Sequence, residues 1–121
     1  MSQPGALMRH PLAVAGALIT ATSAVVFLAL LVAALIAKGQ KVYEAQKCSV
    51  CHAIAGKGGK QNPLDGVGSK LSADETRLWI TDPTAAAKKA NSTKKPPMPN
   101  KYKLPPAELD ALVAYMQSLK K

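Results

Sequence analysis

Apolar and polar residues are segregated along this chain. From Pro11 to Ala37 there is no charged residue, and Leu, Val, Ala and Ile dominate. From Lys38 onward the apolar positions come in short groups separated by charged, glycine-rich and proline-rich stretches. As a helix the first block would extend about 40 Å, enough to cross a bilayer. It is also longer than the roughly 7–15 residues of a secretory leader's apolar region. Val32-Ala33-Ala34 would suit a cleavage site, but the length predicts a retained membrane anchor that keeps Met1. Small residues recur four apart in Gly16-Thr20-Ala24 and Ala29-Ala33-Ala37, a spacing that lets membrane helices pack closely.

The pattern after the block is helical. Val42, Tyr43 and Gln46 share one face of a helix over 39–47. Residues 55–68 carry five of the eight glycines plus Pro63 and read as loop. Ser72 followed by Asp74 and Glu75 marks a helix start that runs through Leu78, Trp79 and Ile80. Asp82-Pro83 closes that helix, and 88–103 is a lysine- and proline-rich loop. Pro105-Pro106-Ala107-Glu108 opens a last helix striped by Leu109, Leu112, Val113, Met116 and Leu119. No repeat and no β alternation occur. The organisation is therefore a flank (1–10), a transmembrane helix (11–37) and a small all-α domain (38–121). With one Trp and no Phe, that domain has a thin core.

Both cysteines of the protein fall in one run, Cys48-Ser49-Val50-Cys51-His52, the spacing C-x-x-C-H. Two thiols on one helical turn can add across the two vinyl groups of a porphyrin, and the adjacent imidazole then meets the iron. A thioredoxin-like dithiol would need a βαβ context, and no strand-like run precedes the motif. A zinc site would need more ligands, and His10 is remote, beside the apolar block. The motif therefore predicts one covalent haem c attached through Cys48 and Cys51, with His52 as axial ligand. A buried haem would also supply the apolar bulk that the thin core lacks.

Further residues carry a family resemblance. Gly39-x-x-x-Tyr43 precedes the motif, and Asn62-Pro63-Leu64-Asp65-Gly66 follows in the loop. Then come Leu78-Trp79-Ile80-Thr81-Asp82-Pro83, a Pro-Pro-Met-Pro loop at 96–99, and Glu108-Leu109-x-x-Leu112-Val113-x-Tyr115. In this order they resemble the class I monohaem cytochromes c, over essentially all of 38–121. The resemblance implies short helices and long loops around one haem. It implies that the Pro63 carbonyl accepts the Nδ1 proton of His52, that Gly39 and Tyr43 cross the last helix at Tyr115, and that Trp79 and Tyr102 donate to haem propionates. A core role for Trp79 stays equally open. The family commonly has Phe where Tyr43 stands, so its hydroxyl needs a partner. The second axial ligand is expected to be Met98, presented between Pro97 and Pro99. A soft thioether favours Fe(II). Met116 lies on the apolar stripe, where Met is usually core.

Charge directs the expected partners. The net charge is +9, and all seven acidic residues lie after the apolar block with fifteen of the sixteen basic ones. Nearly all the basic residues are Lys, with no aromatic platform, which argues against nucleic acid. Lys88, Lys89, Lys94, Lys95, Lys101 and Lys103 crowd the segment around Met98 and would steer an acidic redox protein toward the haem edge. Arg9 alone precedes the block while Lys38, Lys41 and Lys47 follow, so a charge count puts the domain in the cytoplasm. Attachment of haem c belongs to the oxidising side, which places the domain on the periplasmic face of the inner membrane. Only Lys38 and Gly39 separate the block from the first soluble helix, too little for a roaming tether.

The function expected is one-electron transfer within a respiratory or photosynthetic membrane complex, beside other integral redox subunits. No small-molecule substrate and no enzymatic step are expected. The alternatives are a tethered mobile shuttle, a haem sensor with an open iron site, or a structural haem subunit.

Overall fold

In the computed structural model the described residues are 12–121, with side chains from Ala21 onward. The flank 1–10 with His10, and the side chain of Thr20, lie outside them. The longest element is α1, Leu12–Ala45. Its stretch from Ala21 is long and apolar enough to cross a bilayer, and Val25, Phe27, Leu28 and Leu30 are all exposed. The sequence suggested a boundary at 37/38, but the helix continues through Lys38 and Gly39. Two compact units are distinguished, one ending at Val32 and the other covering Ala33–Lys121.

The second unit begins with the last turns of α1. Lys47, in the left-handed region at φ 54°, turns the chain out of that helix into a 3₁₀ turn over Cys48–Val50. A two-residue hairpin follows, β1 (Ala53–Ile54) antiparallel to β2 (Lys57–Gly58), with Ala53 opposite Gly58. Ala55 and Gly56, both at positive φ, make the connection, as a primed two-residue turn requires. The stretch read as plain loop thus contains a hairpin, and it ends in the short α2 (Val67–Lys70).

Helix α3 (Ala73–Thr81) starts with a full capping box: Glu75 N–H donates to Ser72 Oγ (3.2 Å), and Ser72 N–H donates to Glu75 Oε2 (2.9 Å). Asp82 ends α3 as expected, but it also starts a helix that sequence reasoning missed, α4 (Pro83–Lys89). Asp82 Oδ1 accepts from Ala85 N–H at 3.0 Å, and Pro83 occupies the first turn, where its missing N–H costs nothing. The signal was present in Asp-Pro; proline ended one helix and opened the next.

Helix α5 (Pro106–Ser118) is the centre of the unit. Its Ala111, Leu112, Val113 and Met116 are buried, and Leu112, Val113 and Met116 cluster with Val42 and Tyr43 of α1 and Ile80 of α3. Helix α3 packs on α4 and α5, and α2 packs on α5. Two glycines permit the tightest contacts on α5. A Cβ on Gly39 would stand 1.9 Å from the Ala111 carbonyl oxygen, and one on Gly68 would stand 2.3 Å from that of Gln117. Buried Thr76 is satisfied by Gln117 Nε2 (3.0 Å), which also donates to the Leu71 carbonyl.

Candidate functional site

The C-x-x-C-H run is held from several sides. Within it, the N–H groups of Cys51 and His52 both donate to the Cys48 carbonyl, at 3.2 and 3.0 Å. That bonding is the helical turn which puts both thiols and the imidazole in one short arc. Both thiols are free; Cys48 is half-buried against the core cluster, whereas Cys51 is exposed. Burial pushes the Cys48 thiol up.

The glycine pair after β1 backs the motif. Gly59 N–H donates to the Ser49 carbonyl at 2.9 Å. Gly58, at φ 109°, lies so close that a Cβ would come within 2.2 Å of the His52 carbonyl oxygen. A side chain there would be both strained and in collision. Sequence reasoning treated these glycines only as loop formers; their adjacency to the motif was the available signal.

His52 is half-buried, and its Nδ1 lies 2.9 Å from the carbonyl oxygen of Asn62. A carbonyl can only accept, so Nδ1 carries the proton and Nε2 keeps its lone pair for a metal. The expectation that the Pro63 carbonyl plays this part is corrected: the acceptor belongs to the residue before the proline. Pro63 is exposed, and a proline in that position limits the backbone freedom of Asn62 before it. The Tyr43 hydroxyl, whose partner sequence left open, donates to the His52 carbonyl at 3.1 Å.

Met98 is half-buried in the connection between α4 and α5, while Met116 is buried in the core cluster. Tyr102 packs on that cluster, and burial, together with the thiols of Cys48 and Cys51, pushes its phenol up. Lys101 Nζ sits 5.5 Å from the centre of the Tyr102 ring. Trp79 is half-buried on α3, lining a small cleft with Leu71, Leu78 and Ala86. Lys88, Lys89, Lys94, Lys95, Lys101 and Lys103 are all exposed, the first two in the last turn of α4.

The family model for cytochrome c matches residues 36–120. The chain belongs to the cytochrome c family. No curated protein and no solved structure matches it. As a cytochrome c it is an electron-transfer protein rather than an enzyme, and family membership implies a covalent haem c. The residues present fit that group: two unpaired thiols three positions apart and an imidazole whose Nε2 is left available. When bound, haem supplies a one-electron Fe(II)/Fe(III) couple. The Asn62 carbonyl orients the His52 ring, Gly59 bonds to the motif's backbone, and Gly58 lies close against it.

Proposed function

We propose that this cytochrome c is a membrane-anchored electron relay on the periplasmic side of the inner membrane, working as a subunit of a respiratory or photosynthetic complex. One haem is attached through Cys48 and Cys51, with His52 and Met98 as axial ligands. Filled axial positions confine the iron to electron transfer, which separates this reading from an open-site sensor. The observation that carries the redox site is the His52 imidazole, committed to one tautomer by Asn62 and set directly beside two free thiols.

Anchoring is supported by α1, whose exposed face from Val25 to Leu35 is apolar and would be costly in water. A docking role for the lysines around Met98 is supported by their exposure and by the chain's net charge of +9. The deciding experiment is extraction in mild detergent followed by sedimentation, with haem absorbance as the marker. The expected result is a haem band that sediments with integral membrane redox proteins and is reduced and reoxidised within that assembly. A monomer that carries electrons between separate complexes would establish the mobile shuttle instead, and haem that never turns over would establish a structural role. Protease added from the periplasmic side should digest the haem domain; its protection would overturn the assigned side.

A further inference from the structure

We propose that Tyr43 is a positioning residue for the axial imidazole, its hydroxyl tying helix α1 to the peptide of His52 and thereby helping to set the reduction potential. The proposal rests on His52 being the axial ligand. It concerns an oxygen atom that packing alone does not require, since a phenylalanine ring would fill the same volume.

Tyr43 is one of the most buried side chains of the unit, 7 % exposed. Its ring is fixed by the crossing of α1 on α5: it meets the Tyr115 ring edge-on, 5.9 Å between centres and 70° between planes. That crossing is in turn set by Gly39, whose backbone lies against Ala111 and Tyr115. With its ring so held, the phenol has little freedom to aim elsewhere, and it donates to the His52 carbonyl at 3.1 Å. The same carbonyl is closely approached by Gly58, so the His52 peptide is confined between an aromatic of α1 and the hairpin.

His52 is thus held at three atoms by three segments. Its N–H is bonded to Cys48, its carbonyl to Tyr43 and its ring to Asn62. The Asn62 contact sets the tautomer. The other two set where the side chain originates, and so the angle from which the imidazole approaches iron. Electrostatics adds a direction. A phenol donating to the ligand's peptide points the positive end of its O–H dipole toward the site. That favours the less positive Fe(II) state and raises the potential.

The test uses the full-length holoprotein in detergent and four variants. Tyr43→Phe keeps the ring and removes the oxygen. The midpoint potential should fall, and the ferric haem-methyl NMR pattern, which reports the imidazole orientation, should redistribute, while helix content is retained. Replacing Tyr43 by 3-fluorotyrosine, a stronger donor of nearly the same size, should move the potential the opposite way. This arm also decides the matter if Tyr43→Phe folds poorly. Tyr115→Phe, which removes a neighbouring hydroxyl, should change neither readout. A folded Tyr43→Phe with the parent's potential and methyl pattern, a potential unmoved by fluorotyrosine, or an equal effect at Tyr115 would each overturn the proposal. His52→Ala separates it from its premise. Loss of the low-spin spectrum there upholds the ligand, whereas its survival would remove the ligand assignment and this inference with it.

Discussion

Gly39 of α1 and Ala111 of α5 touch backbone to backbone, closely enough that a Cβ on Gly39 would stand 1.9 Å from the Ala111 carbonyl oxygen and 2.7 Å from the Tyr115 Cβ. Neither neighbour can rotate away, because one is main chain and the other is the first atom of its side chain. Gly39→Ala should therefore force the helices apart. Helix propensity alone would favour alanine by about 1 kcal/mol. Overpacking of a tight contact costs about 1–3 kcal/mol, so the expected net effect is destabilisation. Denaturant midpoints of parent and variant decide it; a variant as stable as the parent would show that the crossing relaxes at little cost.

Two methionines should separate by function. Met98→Ala is expected to abolish low-spin six-coordination and to lower the potential, because a soft axial sulfur is lost. Met116 is buried in the core cluster, and Met116→Ala should cost about 2–5 kcal/mol while leaving the sulfur-to-iron band intact. The band near the red edge of the ferric spectrum reports the ligand, and thermal unfolding reports the packing. Loss of the band in Met116→Ala but not in Met98→Ala would reverse the assignment.

The α3 cap should make stability respond to acid. Hydrogen bonds from the Ser72 backbone and hydroxyl hold the Glu75 carboxyl below its ordinary value of 4.5. A folded-state value below the unfolded one means that this contribution is complete above about pH 4.5. It is lost as pH falls through the lower folded value. The parent should therefore lose stability on acidification more steeply than Glu75→Gln over that interval, and a parallel pair of stability curves would exclude the carboxylate's part. Ser72→Ala should cost about 1 kcal/mol at neutral pH through the lost cap.

Electron exchange with the physiological partner should slow as salt rises, since exposed charges are screened beyond about 8 Å at physiological ionic strength. Reversing Lys94, Lys95 and Lys101 together should slow it further and flatten the salt dependence, as stopped-flow rates at several ionic strengths would show. Kinetics indifferent to salt would assign those lysines to solvation alone.

Much of this protein was legible without coordinates because its signals are local. An uncharged apolar block marked most of α1, apolar periodicity marked its last turns and α5, the Ser72–Glu75 spacing marked the start of α3, and C-x-x-C-H marked the attachment run; each is a property of residues close together in the chain. The hairpin over Ala53–Gly58 escaped because two-residue strands are too short to show alternation. Helix α4 escaped because Asp82-Pro83 is equally a stop and a start until the chain beyond it is placed. What only the tertiary structure decided are contacts across long separations. Whether the carbonyl of Asn62 or of Pro63 faces His52 depends on how the loop returns to the motif ten residues on. That the Tyr43 hydroxyl ends on the His52 carbonyl depends on the α1–α5 crossing fixing its ring first. Residue type and spacing specify which groups are available for bonding, but a hydrogen bond needs its partners within about 3 Å, and only the packed chain brings them that close.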